Sequence, residues 1–156
     1  MTLVEPAVFS AALPASSLDE SALTLQRMHF AIPGSLVPQS SWIHAVDIEI
    51  KELLLLSEGW DGAAAYPVSV DAVSDARALA AAICNALPAL RHPTVTPSID
   101  GRVVLEWHSP VCHIDFTVGR DSIEVFYEDD EQGLDWDGLL PDAPLDPLAF
   151  LASHSW

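Results

Sequence analysis

From Val103 to Tyr127, apolar and polar residues alternate with period two, as in strands that bury one face. With Ser109-Pro110 as a two-residue turn, Trp107 falls opposite Cys112, Leu105 opposite Ile114 and Val103 opposite Phe116. The other face then carries Arg102, Glu106, His113, Asp115 and Thr117, with Val104 as an apolar exception. A second two-residue turn at Arg120-Asp121 sets Val118 opposite Ile123, Phe116 opposite Val125 and Ile114 opposite Tyr127. A slip of one residue would scatter this shared apolar face. Upstream, Asp100-Gly101 is a hairpin signal. A three-residue loop, Ile99-Asp100-Gly101 with Gly101 left-handed, places Val95 and Pro97 opposite Leu105 and Val103. Pro93 and Pro97 cannot donate ladder bonds, so this first strand belongs at a sheet edge.

Two helical stripes precede the strands. Ile43, Val46, Ile50, Leu53 and Leu54 recur at helical spacing between Trp42 and Ser57, after a cap at Ser40 or Ser41 and before a left-handed Gly59. Val73, Ala76, Ala80, Ile83, Cys84 and Leu87 form the second stripe, which starts at the cap Ser69 and stops at Pro88. The expected fold is α+β, with two helices packed on one face of a four-stranded antiparallel meander in two layers.

The flanks differ in character. Residues 1–40 carry Pro6, Pro14, Pro33 and Pro38 and read as a partly ordered N-terminal arm, with a helix expected over Ser17–Met28 and a strand over His29–Ile32. Residues 41–128 form the expected α+β core. Residues 129–156 read as an acidic segment packed back on that core, first a loop and then a short helix from Pro147 to Ser153, capped by Asp146.

Charge narrows the function classes. The chain has 156 residues, with 23 acidic and 6 basic side chains and a formal net charge of −17. One domain is expected at this length. Such charge disfavours direct binding to nucleic acid or to an anionic membrane, and it suits a basic partner surface. Two cysteines make no disulfide framework. The N-terminus lacks a basic region before an apolar run, and no apolar run has transmembrane length, so a cytoplasmic protein is expected.

Chemistry-bearing constellations are few. In the turn registers above, His113 lies opposite Glu106 and Glu128, with Asp115 and His108 near; such a set could hold a metal or move a proton, or simply form an ion pair. Asp135-Trp136-Asp137-Gly138 has the beginning of a calcium loop but lacks its distal glutamate. Ser109 has no nucleophile elbow around it, and Cys112 falls on the core face. Trp60 in Gly59-Trp60-Asp61-Gly62 reads as a staple of its turn, with an exposed anchor as the alternative.

The order Leu54…Gly59-Trp60-Asp61-Gly62…Pro67…Ala76…Pro93…Pro97…Asp100-Gly101…Leu105-Glu106-Trp107 resembles a group of small, uncharacterised bacterial proteins with a GWDG turn and an LEW strand. The resemblance covers the middle half of the chain and implies a shared fold, with no known activity.

The leading expectation is a non-enzymatic acidic binding protein without a cofactor, of the inhibitor, immunity, antitoxin or nucleic-acid-mimic type. Its partner would be a basic protein surface, such as that of a nucleic-acid-binding protein. Glu128, Asp129, Asp130, Glu131, Asp135, Trp136 and Asp137 are the expected contact residues, with Glu106 and Asp115 on the sheet as a second surface. The alternatives are a metal-dependent enzyme using Glu106, His113 and Glu128, and a structural assembly subunit.

Overall fold

The computed structural model describes residues 41–156. The expected arm over residues 1–40, with its helix and strand, lies outside the described residues. Helix α1 spans Ser41–Glu52 and runs into a 3-10 turn at Leu53–Leu55, so it stops short of the expected Ser57. It buries Trp42, Val46 and Ile50, one residue per turn. Helix α2 spans Val70–Ala86. The Ser69 hydroxyl accepts from the Ala72 amide at 3.0 Å, and Asp71 sits in the first turn, where the helix dipole favours an anion. Ala72, Ala76 and Ala80 are fully buried on α2, which shows how small side chains let it approach its neighbours closely.

Among the described residues the sheet has five antiparallel strands in the order β1 (Thr94–Pro97), β2 (Val103–His108), β3 (Cys112–Val118), β4 (Ile123–Asp129) and β5 (Leu134–Leu139). The β1–β2 register matches the expected one, Val95 opposite Leu105 and Pro97 opposite Val103, and Gly101 has φ +84°. A side chain at Gly101 would also meet the Pro67 carbonyl oxygen at 2.7 Å, so both the backbone and the packing demand glycine. The β3–β4 register is also as expected, with Gly119 donating to the Ser122 carbonyl at 2.9 Å across its turn.

The β2–β3 turn corrects the expectation. Ser109 donates to the Cys112 carbonyl at 2.9 Å, and the ladder begins with His108 opposite His113. Trp107 therefore pairs with Ile114, Leu105 with Phe116 and Val103 with Val118. The slip is two residues, a whole pleat period, so every side chain keeps its face. Val103, Leu105, Trp107, Cys112, Ile114, Phe116, Val118, Val125 and Tyr127 are buried, and Ile123 is half-buried.

Among the described residues the sheet has one strand more than the expected four, and the C-terminal helix joins the two of the expected core. The stretch after Glu128, expected as a loop, forms β5, and helix α3 spans Pro147–Ser153. The helix itself was expected, with Asp146 accepting from the Leu148 amide at 3.0 Å and Pro147 at its first position. It shares the buried side of the sheet with α1 and α2, because Phe150 stacks on Tyr127 at 5.1 Å and Tyr127 on Trp136 at 5.6 Å. No helix among the described residues is long and apolar enough to cross a membrane.

Candidate functional site

Among the described residues, the helices cover one face of the sheet and leave the other open. Alternation from the register puts Glu106 and His108 of β2, His113, Asp115 and Thr117 of β3, Glu124, Phe126 and Glu128 of β4, and Asp135, Asp137 and Leu139 of β5 on that open face. Glu128 lies opposite Asp135, and Asp137 lies opposite Phe126. The formation of β5 thus brings Glu128, Asp135 and Asp137 onto the same surface as Glu106 and Asp115. Two separately expected surfaces are one.

The electrostatics of this face are uneven. At one end, Arg102 neutralises it by reaching both Asp100 and Glu124 at 2.7 Å. Lys51 and Arg77 are engaged on the helical side with Asp47, and Arg120 pairs with Asp71. Among the described residues no lysine or arginine pairs with Glu106, Asp115, Glu128, Asp135 or Asp137. Like charges face each other directly in Glu106–Asp115 and Glu128–Asp135, which is unfavourable across a ladder. Burial, and secondarily Glu106, raises the Asp115 carboxyl above the ordinary carboxylate range, although His113 opposes the shift.

His113 sits within this group, but not as its register was expected. It lies opposite His108 and Glu128, while Glu106 faces Asp115. Its Nε2 is 3.5 Å from Glu106 and 3.8 Å from Asp115, and it is buried without a hydrogen bond among the described residues. Its ring packs edge-on against His108 and Phe126, at 5.6 and 5.4 Å. Among the described residues no group of three or more His, Cys, Asp or Glu side chains is placed to hold a metal ion. The Asp135-Trp136-Asp137-Gly138 stretch is a paired strand whose two aspartates share one face, unlike a calcium loop, which wraps its ligands around the ion.

Asp129 is a correction. It continues the β4 alternation of Val125 and Tyr127 onto the covered face, and is 2% exposed. One carboxylate oxygen accepts from the Glu131 and Gln132 amides, each at 2.9 Å, and so shapes the turn into β5. The other oxygen accepts from the Gln132 side chain at 2.5 Å and from His154 at 2.8 Å. Asp129 is thus occupied internally and offers no surface to a partner. Asp130 and Glu131 are exposed on the same hairpin turn, and the Asp130 amide donates to the Val111 carbonyl at 2.9 Å. Trp136 is half-buried against Tyr127 on the face opposite the carboxylates, so it is no aromatic anchor at their centre.

His154 clasps the C-terminal segment. Its Nδ1 meets the Phe150 carbonyl at 2.8 Å and its Nε2 meets Asp129 at 2.8 Å. Two acceptors require a proton on each ring nitrogen, the imidazolium form. Burial opposes this charge, but the Phe150 carbonyl and the Asp129 carboxylate outweigh it and raise the His154 pKa. The Gln132 amide first, and then His154, hold the Asp129 carboxyl below its ordinary range. The stabilisation from His154 is full below its ordinary value of about 6.5 and is lost as pH rises through the raised value. That from Asp129 is present above its ordinary value of about 3.9 and is lost as pH falls through the lowered one. The C-terminal residues should therefore be held best between these limits. Carboxypeptidase should remove Trp156 and Ser155 faster above the raised His154 value than below it, and below that value faster from His154→Ala than from the unmodified chain. Equal trimming rates would show that the clasp does not hold the terminus.

Trp60 donates to the Tyr66 carbonyl at 3.1 Å, and Asp61 accepts from the Ala63 and Ala65 amides at 2.9 and 3.2 Å. The GWDG stretch ties its own loop together, so the staple reading describes it. Comparison of the chain with protein-family models, curated proteins and solved structures returns no match.

Proposed function

We propose that the protein is a non-enzymatic acidic binding protein that engages a basic macromolecular partner through the open face of its sheet. The observation that carries this reading is the set Glu106, Asp115, Glu128, Asp135 and Asp137, spread over β2 to β5 with no lysine or arginine among the described residues paired to any of them. Carboxylates held opposite one another cost stability, and a docked cationic surface would relieve that cost. Inhibitors, immunity and antitoxin proteins, and nucleic-acid mimics work by this kind of charge complementarity. A nucleic-acid-binding protein fits as partner, since it presents lysine and arginine at phosphate spacing. Contact residues under this reading are Glu128, Asp135 and Asp137, extended by Glu106, Asp115 and the turn residues Asp130 and Glu131.

The protein immobilised on a column should retain a basic protein from a lysate of its native host and release it at high salt, because exposed charges are screened within about 10 Å at 0.1 M. A column carrying Glu128→Gln, Asp135→Asn and Asp137→Asn together should fail to retain it. The same retained proteins on both columns would remove this face from the interface.

A further inference from the structure

We infer that the outer edge of β5 accepts an extended, lysine- or arginine-rich segment of the partner as a sixth strand. This rests on the acidic-face reading and gives it a binding mode. Among the described residues strand β5 ends the sheet, and its backbone bonds run to β4 alone. Alternate N–H and C=O groups along its outer side therefore have no partner among the described residues, a template for strand addition. The two sheet edges are not equivalent. Strand β1 ends in Pro97 and follows Pro93, and a proline has no N–H to offer an added strand. Strand β5, Leu134–Leu139, contains no proline.

The side chains of β5 specify the occupant. An added strand lies about 4.8 Å away, and its alternate residues would stand beside Asp135 and Asp137 on the open face. Glu128 lies one strand further in. The intervening residues would lie on the helical side, beside Trp136 and Gly138. The Trp136 ring covers Gly138 so closely that a Cβ there would be 2.8 Å from Cζ2, which leaves a flat apolar strip. The matching sequence alternates basic and apolar residues. A second copy of this chain is the wrong occupant. Antiparallel pairing of two β5 strands would set aspartates against aspartates, and like charges directly opposite are destabilising.

The test uses the full chain and a fluorescent octapeptide of alternating lysine and valine at low salt, measured by anisotropy. Two further peptides carry N-methyl groups on alternate amides, one set on each edge of the strand, with charge unchanged. Strand addition predicts that one N-methyl peptide keeps its affinity. The other should lose roughly 10- to 100-fold, as expected for two or three backbone bonds. The unmodified peptide should also slow hydrogen exchange at the amides of Leu134–Leu139. Equal affinity of all three peptides would overturn strand addition and leave the acidic face as a charge-only surface. Absence of binding by any of them would overturn both readings.

Discussion

Phe116→Ala should lower the free energy of unfolding by about 3–5 kcal/mol, the usual cost of emptying a buried aromatic site. Phe116 is 2% exposed at the middle of the central strand β3, between Leu105 and Val125, and it meets Trp107 edge-on at 6.0 Å. Its neighbours belong to a sheet and cannot collapse into the space without breaking the ladder, so the cavity term should be close to full. A small domain has only about 5–15 kcal/mol to lose. The variant should thus melt at much lower denaturant, with its midpoint as the readout. Thr117→Ala, one residue along on the open face, should cost less than about 1 kcal/mol. If the two variants melt alike, the burial pattern on β3 does not describe the protein in solution.

The contrast between those neighbouring residues was legible from the alternation alone. The β1–β2 and β3–β4 registers could be read because Gly101 and the Arg120-Asp121 turn leave few ways to close the chain. The β2–β3 turn could not. Ser109-Pro110 looks sufficient for a two-residue turn, and the observed register differs by a shift that leaves every face unchanged, so hydrophobic patterning is blind to it. That shift moved Glu106 from opposite His113 to opposite Asp115, yet the His113 Nε2 stays 3.5 Å from Glu106 and 3.8 Å from Asp115, so the acidic face keeps its histidine in a different register.

Strand β5 was missed because acidic residues outnumber strong strand formers in it. Two signals pointed to it nonetheless. Leu134, Trp136 and Gly138 alternate with Asp135 and Asp137, and Gly133 precedes them with φ +63°, a turn glycine. Asp129 was legible too, since a β4 alternation that buries Val125 and Tyr127 must also turn Asp129 inward. A carboxylate on the core face requires partners, and the amides of the following turn are the nearest donors. His154 could not be found this way, because its approach depends on how α3 returns to the sheet.

The internal role of Asp129 decides which charges can be removed to test function. Glu128→Gln, Asp135→Asn and Asp137→Asn together should leave the fold intact and raise its stability by up to roughly 1 kcal/mol, because the Glu128–Asp135 repulsion disappears. The same variant should associate with the basic partner roughly 10- to 100-fold more slowly at low salt, within the range that steering by surface charge supplies. The two rates should converge near 1 M salt, where the screening length is about 3 Å. The opposite signs are the point of the experiment. Residues kept for folding lose stability when neutralised, whereas residues kept for a partner gain it and lose binding. Denaturant melts and stopped-flow association, run on the same preparation, separate the two cases. A variant that is less stable, yet associates at the unmodified rate, would make these carboxylates structural and place the contact surface elsewhere.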